Sequence, residues 1–295
     1  MSPEGPSVVG LGGGHGLAVT LSAMRRYAGQ ITAVVSVADD GGSSGRLRGA
    51  FGLPAPGDVR RCLVALADDP GGAWARAFGL RFEGGDVDGH ALGNLVLAGL
   101  TEATGSFLAA VDEAARLLST AGRVLPATLD PVVLTGDGPA GRLVGQTTVE
   151  GHGVDLTTVA IEPSDAEVHP DVVRAIAEAD QVVLGPGSLY TSVLAVVAVP
   201  RIRVALQARA GAIVFVCNLK ATGETAGYDV AAHVEALIRH GVTPTTVLVD
   251  RGGVSLGEVP QRVEVVEAVL AGEGGATHDP ERLAAALERL TLRTG

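Results

Sequence analysis

Three segments of the chain repeat one order of residues: an apolar, β-branched run, a glycine-rich turn, and then apolar residues at helical spacing. Their turns read G-G-G-H-G at 12–16, D-D-G-G-S-S-G at 39–45 and G-P-G-S at 185–188. Strand–turn–helix units of this kind form right-handed crossovers between parallel strands. The repetition predicts an α/β, Rossmann-like fold, with a mainly parallel sheet flanked by helices.

One stretch departs from this order. Residues 123–161 contain short apolar runs, such as V-V-L-T at 132–135 and L-V-G-Q-T-T-V at 143–149, separated by Gly and Pro. Such runs are typical of short antiparallel strands. We therefore predict one Rossmann-like domain over residues 1–295 with a strand-rich insertion around 123–161.

Composition narrows the classes of partner. The net charge of -11 argues against broad binding of nucleic acid or anionic membrane, which needs a basic surface. No apolar run approaches the ~20 residues that span a bilayer, and no basic segment precedes the first apolar run. The only two cysteines, Cys62 and Cys217, fall in apolar patterns and are predicted to be buried free thiols, as in a reducing compartment. The sequence predicts a cytoplasmic protein.

The glycine loops are the first candidate site. In open parallel sheets ligands bind at the carboxyl ends of the strands, and a helix that begins there presents unpaired N–H groups and a positive dipole. A phosphate or diphosphate is the ligand that this arrangement favours. The candidate residues of the first and third loops are Gly12, Gly13, Gly14, His15, Gly16, Gly185, Pro186, Gly187 and Ser188.

A nicotinamide dinucleotide fits this pattern imperfectly. The fingerprint G-x-G-x-x-G or A requires a small residue where Gly10-x-Gly12 is followed by His15. Asp39 does stand at a strand end, where a ribose-binding acid would lie. The first loop therefore indicates a nucleotide more clearly than it indicates NAD.

The second loop places two carboxylates beside bare backbone. Adjacent residues of an extended chain point in opposite directions, so one of Asp39 and Asp40 is expected to face a ligand while the other caps a helix or pairs with an arginine. A Mg²⁺ ion could be held through one carboxylate and ligand phosphates. The alternative makes Asp40 a cap and Arg46 its surface partner. The candidates that supply donors to phosphate or carboxylate are Gly41, Gly42, Ser43, Ser44 and Arg46.

Further polar residues follow apolar segments. In H-A-L-G-N, His90 and Asn94 are expected on one helix face, and Asn94 offers the donor and acceptor that a sugar or base requires. Asn218 ends an apolar strand. Glu224 and Tyr228 could flank a ring and hydroxyls, or could be a cap and an ordinary packed ring.

The segment G-D-V-R begins a predicted helix. Asp58 is predicted to be its N-cap, and Arg60 could reach an anion or be solvated. No Ser-His-Asp order or G-x-S-x-G nucleophile elbow can be identified, and no metal-ligand spacing is present, so we name no catalytic and no metal-binding residue.

Several of these motifs together resemble a known family. The chain is similar to the bacterial gluconeogenesis-factor family (YvcK type) through nearly its whole length and in the same order. Two differences are that His15 stands where Thr is usual, and that T-H-D-P at 277–280 lacks an arginine before His-Asp. The motifs that carry the resemblance are V-V-G-L-G-G-G-H-G-L (8–17), V-A-D-D-G-G-S-S-G-R-L-R (37–48), P-A-P-G-D-V-R-R-C-L-V-A-L-A-D (54–68), H-A-L-G-N (90–94), L-G-P-G-S-L-Y-T-S (184–192) and C-N…G-E-T-A-G-Y (217–228).

The resemblance implies a cytoplasmic Rossmann-like protein that binds UDP-sugars, notably UDP-N-acetylglucosamine. It implies support of cell shape and peptidoglycan synthesis during gluconeogenic growth, through an unidentified cell-wall synthesis protein. Residues 12–16 would cradle the diphosphate and 185–188 would form a second backbone wall. Asp39 or Asp40 and Asn94 would meet hydroxyls, while Asn218 and Tyr228 would hold the base or sugar.

Two functions from different classes stay open at this point. The first is a UDP-sugar-binding regulator without a firm cofactor, without a membrane span and able to form oligomers. The alternative is a Mg²⁺-dependent, nucleotide-activated group transferase, because the family is related in fold to 2-phospho-L-lactate transferase. An NAD-dependent oxidoreductase is disfavoured by the broken fingerprint.

Overall fold

The computed structural model describes residues 5–139, 141–151, 156–209 and 211–292. Within these ranges the strands are β1 (Ser7–Gly12), β2 (Gln30–Val35), β3 (Arg123–Pro126), β4 (Val133–Gly138), β5 (Gly141–Val144), β6 (Thr158–Glu162), β7 (Gln181–Leu184), β8 (Ala212–Val216), β9 (Thr246–Asp250) and β10 (Glu264–Ala268). The α-helices are α1 (Gly14–Met24), α2 (Gly42–Phe51), α3 (Pro56–Leu66), α4 (Ala73–Gly79), α5 (Leu92–Thr104), α6 (Phe107–Leu118), α7 (Gln146–Gly151), α8 (Pro170–Glu178), α9 (Leu194–Val197), α10 (Pro200–Ala208), α11 (Val230–Arg239) and α12 (Pro280–Thr291).

A parallel sheet forms the centre of the described structure. Its strand order is β10-β9-β8-β7-β1-β2-β3, and every neighbouring pair is parallel. The α/β, Rossmann-like prediction is confirmed. Strand β1 is nearly all buried because helices cover both faces of such a sheet: α1 packs on α3 and α12, while α8 and α9 contact β1.

The strand order places two loops side by side. From β1 the chain continues outward to β2 and β3, and β7 returns on the other side of β1. This is the point where the strand order reverses, and the crevice at the carboxyl ends of β1 and β7 is the usual ligand position in such sheets. The first and third glycine loops follow these two strands.

The predicted insertion is partly confirmed and its boundary is corrected. Strands β4, β5 and β6 form a separate antiparallel sheet in the order β5-β4-β6. Residues 123–126, which we assigned to the insertion, instead form β3 at the edge of the parallel sheet, where they pair with β2. Ala140 and residues 152–155 of the predicted insertion lie outside the described residues.

The two cysteines and the apolar helices bear on two further predictions. Cys62 and Cys217 are both buried and free, as predicted. Within the described ranges no single helix is both long and apolar enough to cross a membrane; only the segments 189–197 and 200–208, bent by 75° against each other, pass such a test as a pair.

Candidate functional site

A cleft of about 440 Å³ opens at the carboxyl ends of β1, β7 and β8. It brings together residues from the first glycine loop, the third glycine loop and the segment after β8, each of which holds candidate residues named from the sequence. The predicted site residues that line it are His15, Gly16, Pro186, Gly187, Ser188, Asn218 and Glu224.

The two glycine loops touch through backbone atoms. A Cβ at Gly16 would lie 2.5 Å from the carbonyl carbon of Pro186 and 2.9 Å from Cα of Gly187. Thr20 stabilises the contact between the two loops, because its hydroxyl donates to the carbonyl oxygen of Gly185 at 3.0 Å. Bare backbone is therefore required here for the two loops to approach each other.

Asn218 holds the third loop in place. Its Oδ1 accepts from the backbone N–H of Gly187 at 3.0 Å, and its Nδ2 donates to the carbonyl oxygen of Gly187 at 2.9 Å. The side chain thus pairs with Gly187 as a neighbouring strand would. Its position at the end of β8 explains why it reaches this loop, since β8 is the neighbour of β7.

Charged residues of both signs line the cleft: Glu150 at its edge, Lys220 and Glu224. Lys220 is exposed there and is the only lysine of the chain. Glu224 is buried, and its carboxylate accepts from the N–H of Tyr190 at 2.8 Å and from the hydroxyl of Thr191 at 3.1 Å. Burial raises the pKa of Glu224, and these bonds act in the opposite direction. Glu224 therefore anchors the turn after β7, and Lys220 is the cation available to an anion.

His278 forms another part of the cleft wall. It is 8% exposed, and its Nε2 has no hydrogen-bond partner among the described residues. Burial lowers the pKa of His278 to about 4, against the opposing effects of its bond to the Cys217 carbonyl and of the Asp250 charge. The imidazole is neutral at pH 7 as a result.

The second glycine loop lines a different pocket. This pocket has a volume of about 220 Å³ and shares no lining residue with the cleft. It lies beside the first turn of α2, and Asp39 lines it with one oxygen, Oδ1, accepting from the N–H of Gly41 at 2.9 Å. The predicted site residues that line it are Asp39, Gly41, Gly42, Ser43, Ser44 and Asn94.

The two adjacent aspartates have different roles, as alternation predicts. Asp40 accepts from the N–H of Gln146 and from the N–H and hydroxyl of Thr147, at 2.7–2.9 Å. It caps α7, which belongs to the insertion and places Glu150 at the edge of the cleft. Arg46 does not pair with Asp40 but donates to the carbonyl of Asp88 at 2.6 Å.

His90 and Asn94 meet at one atom, although not on one helix face. The backbone of residues 80–82 pairs with that of 90–92, so α5 begins only at Leu92 and His90 precedes it. Ser43 Oγ lies 3.0 Å from Nδ1 of His90 and accepts from Nδ2 of Asn94 at 3.0 Å. The residues that we expected to share a face therefore meet across α2 and α5.

Asp58 is not the N-cap of α3, contrary to the prediction. Pro56 begins the helix and Ala55 is its N-cap. Asp58 is buried, bonded by Arg61 at 2.5 Å and by the backbone N–H of Gly14. Burial raises the pKa of Asp58, and the charge of Asp39 adds to this.

The remaining predicted residues lie beside the two pockets. Gly12, Gly13, Gly14 and Gly185 form the loop backbone below the cleft without lining it, and Gly13 packs against the Asp58 carboxylate. Tyr228 shares a hydroxyl–hydroxyl bond of 2.9 Å with Tyr190 and lines a neighbouring depression together with Lys220.

Sequence reasoning missed several lining residues. Lys220 comes two residues after the predicted Asn218 at a strand end, so the same rule could have found it. The residues Thr222, Thr225, Thr277 and His278 carry no spacing that points to this cleft.

Among the described residues, few carboxylates near the two pockets are free to bind a metal ion. Within the described ranges no group of three or more His, Cys, Asp or Glu side chains could hold a metal ion. Asp40 is engaged with α7, and Asp58 with Arg61 and Gly14. A Mg²⁺ ion would therefore depend on Asp39 together with the phosphates of a ligand.

Comparison with known proteins gives one consistent result. The family model for 2-phospho-L-lactate transferase CofD matches residues 8–288. The putative gluconeogenesis factor of Mycobacterium leprae is 42% identical over 306 residues, covering 96% of this chain and 85% of that protein. The gluconeogenesis factor of Bacillus subtilis is 42% identical over 239 residues, covering 80% of this chain and 75% of that protein.

A solved structure extends the similarity to three dimensions. A crystal structure of a UPF0052-family protein from Bacillus halodurans has a TM-score of 0.90 and 33% sequence identity, and the match covers 96% of this chain and 99% of that one. The fold, the family model and the relatives agree over nearly the whole chain. The chain therefore belongs to the CofD family and, within it, to the proteins named gluconeogenesis factors.

Proposed function

We propose that this protein is a regulator that binds a UDP-sugar, UDP-N-acetylglucosamine in the first instance, in the cleft between β1 and β7. The observation that carries the proposal is the contact of two glycine loops at the point where the strand order reverses. There His15 and Gly16, in the first turn of α1, line the cleft, and their amides lack partners within the helix.

The charges in the cleft suit a diphosphate joined to a sugar. Lys220 and the amides at the start of α1 are donors for phosphate oxygens. Glu150 at the edge offers carboxylate oxygens as acceptors, which sugar hydroxyls need. The volume of about 440 Å³ falls within the range of small-ligand sites, about 300–1,000 Å³.

The first experiment is a binding measurement by calorimetry and thermal shift. UDP-N-acetylglucosamine, UDP, GDP and NAD are each titrated with and without Mg²⁺. A specific ligand at 100 times its dissociation constant adds about 2.7 kcal/mol to the free energy of unfolding. We expect this shift for the UDP-sugar, and no saturable binding of any UDP-sugar would overturn the proposal.

A matched pair of variants assigns the binding to the cleft. Lys220→Gln should weaken UDP-sugar affinity about tenfold, the loss expected for one charge-assisted hydrogen bond. Arg289→Gln removes the same charge from an exposed position on the last turn of α12 and should leave the affinity unchanged. Equal effects of both variants would show that net charge, and not the cleft, controls binding.

The cellular part of the proposal rests on the names of the relatives and on the motifs shared with the family. We propose that occupancy by the UDP-sugar controls contact with a cell-wall synthesis protein, which supports cell shape and peptidoglycan synthesis on gluconeogenic carbon sources. The test is to express the chain in a strain that lacks its own gluconeogenesis factor. Lys220→Gln should fail to restore growth and shape where the unaltered chain succeeds.

A second function is a nucleotide-activated group transferase. The match to a transferase family model favours it. Mg²⁺ held by Asp39 and ligand phosphates would stabilise charge on a leaving phosphate. Asp39→Asn should then abolish product formation while only weakening nucleotide binding. Incubation with UDP-sugar, Mg²⁺ and cell metabolites that yields no new product would exclude this function.

A further inference from the structure

The smaller pocket beside α2 contains three arginines. Arg60 from α3, its neighbour Arg61, and Arg81 from the segment after α4 line it together with Ser43 and Asn94. This is a concentration of positive charge in a chain whose net charge is -11. Neither Arg61 nor Arg81 was among the candidate residues predicted from the sequence.

Arg60 is a buried cation without an acidic partner. It is only 7% exposed, and no carboxylate lies within ion-pair distance of it in the described parts of the chain. Its Nε donates to Oδ1 of Asn94 at 3.0 Å and its Nη1 to the carbonyl of Phe78 at 3.2 Å. The Phe78 carbonyl belongs to the last turn of α4 and offers only a partial negative charge.

The neighbouring charges make the burial of Arg60 more costly. Burial, with the added effect of the nearby guanidinium groups of Arg61 and Arg81, lowers the pKa of Arg60 to about 10, and the charge of Asp58 acts in the opposite direction. Burial of a charge outside an ion pair is costly, and an anion bound in the pocket would offset that cost.

The other side of the pocket also favours an anion. α2 begins at Gly42 beside the pocket, and its first amides lack partners within the helix. The hydroxyl of Ser43 is held by Asn94, which is also bonded to Arg60, so the polar groups form one connected network. The pocket's single carboxylate, Asp39, bonds to its own loop at Gly41.

We propose that this arginine pocket, lined by Arg60, Arg61, Arg81, Ser43 and Asn94, is a second binding site for a phosphate dianion, either free or as the phosphate of a small monoester. Its volume of about 220 Å³ lies below the range of nucleotide-sized sites. The site shares no lining residue with the cleft, so the proposal does not depend on UDP-sugar binding.

The test uses the full chain and inorganic phosphate at constant ionic strength. Phosphate binding is followed by ³¹P NMR line broadening and by thermal shift, with glycerol 3-phosphate as the monoester. Saturable binding of at least one of the two is expected, and the one that binds more tightly identifies the form. If neither saturates in the unaltered chain, the proposal is overturned.

Arg81→Gln is the main variant, because Arg81 is exposed and bonds only to the carbonyl of Gly89 among the described residues. Loss of a charge-assisted hydrogen bond should weaken phosphate affinity about ten- to hundredfold. Arg289→Gln, the matched loss of one exposed charge, should not change it. Equal weakening in both variants would show a non-specific charge effect and overturn the proposal.

Two further measurements separate this site from the cleft. Lys220→Gln should leave phosphate affinity unchanged, and saturating UDP-N-acetylglucosamine should not displace phosphate. Displacement by the UDP-sugar, or loss of phosphate binding in Lys220→Gln, would place the phosphate in the cleft and overturn the proposal. Absence of UDP-sugar binding would count against the cleft alone, because the phosphate titration does not require that ligand.

Discussion

The cleft and the arginine pocket lie at the ends of neighbouring strands, but backbone forms much of the cleft wall whereas side chains line the pocket. The cleft is walled by backbone, with Gly16 against Pro186 and a single lysine, Lys220. The arginine pocket is lined by side chains, with Arg60 buried beneath exposed Arg81. Asp58 joins them, since it bonds to Gly14 below the cleft while its neighbour Gly57 lines the pocket.

This difference shows two ways in which an acidic chain can attract an anion. Backbone amides attract phosphate without adding net charge, but they require bare residues and fixed loops. Guanidinium groups supply charge directly, but their burial is costly until a counter-ion is present. Substitution of a glycine in the cleft should therefore change binding through shape, and substitution of an arginine in the pocket should change it through charge.

The largest expected effect is that of Gly16→Ala. The added Cβ would lie against the backbone of Pro186 and Gly187, which Asn218 holds in place. Overpacking of this kind costs about 1–3 kcal/mol. We expect a lower free energy of unfolding in urea and loss of UDP-sugar binding, while phosphate binding in the arginine pocket persists.

Gly49→Ala is the control for this substitution. Gly49 lies within α2, and a Cβ there meets nothing within 4 Å. Alanine in a helix is favoured over glycine by up to about 1 kcal/mol, so this variant should be equally or more stable. If Gly16→Ala kept full UDP-sugar affinity, the contact between the loops would not define the cleft.

A second effect concerns pH and is specific to the cleft wall. Because burial lowers the pKa of His278 to about 4, the unfolded chain, with its ordinary pKa near 6.5, binds more protons between these values. The contribution of His278 to stability is therefore fully present above pH 6.5 and is lost as the pH falls toward 4. Between pH 7 and pH 5 the loss is on the order of 2 kcal/mol.

Other buried groups also change how the free energy of unfolding depends on pH. Burial also lowers the pKa of His233 and of His240, so both add a loss of the same sign. The raised pKa of Glu224 and of Asp58 has the opposite effect, because a folded chain that binds more protons gains stability as the pH falls. A variant is therefore needed to isolate His278.

The measurement compares urea unfolding at pH 5 and pH 7 in the unaltered chain and in His278→Gln. The variant should show a smaller stability difference between the two pH values, by about 2 kcal/mol. His15→Gln removes an exposed imidazole from the same cleft and serves as the control. An unchanged pH dependence in His278→Gln would mean that this imidazole is not held neutral by the cleft wall.

Substitutions of two asparagines should have smaller effects, each weakening the binding of a different ligand. Asn218→Ala removes two hydrogen bonds to Gly187, each worth about 1 kcal/mol, and should weaken UDP-sugar binding. Asn94→Ala removes the link between Arg60 and Ser43 and should weaken phosphate binding instead. Calorimetry with both ligands on both variants tests the distinction between the two sites. If either variant lost the binding of both ligands, the cleft and the arginine pocket would be a single site.

The central architecture could be predicted from the sequence because its signals are local. Each glycine turn joins a buried strand to a helix, so the turns of 12–16, 39–45 and 185–188 could be assigned to the carboxyl ends of strands. The alternation of side chains along an extended chain also predicted separate roles for Asp39 and Asp40, although not that Asp40 caps α7.

The rest depends on contacts between distant segments. No pattern predicts that β7 lies beside β1, which is what brings Gly16 to Pro186. The burial of Arg60 requires α4 and α5 to pack around it, so its sequence position allowed either a solvated or an anion-binding residue. β3 was assigned to the insertion because its partner, β2, lies far earlier in the chain, with Thr32 paired to Arg123.

The smallest expected effect is that of Tyr228→Phe, and it decides where the cleft ends. The hydroxyls of Tyr228 and Tyr190 are hydrogen-bonded at 2.9 Å, and the Tyr190 hydroxyl also donates to the carbonyl oxygen of Leu156 at 3.1 Å. Loss of one such bond should lower the free energy of unfolding by about 0.5–1.5 kcal/mol. Because Tyr228 lines the adjacent depression and not the cleft, UDP-sugar affinity measured by calorimetry should stay the same. If UDP-sugar affinity fell clearly without a loss of stability, the ligand site would extend past Lys220 into that depression. Such a result would support the role in holding the base or sugar that the family resemblance implies for Tyr228.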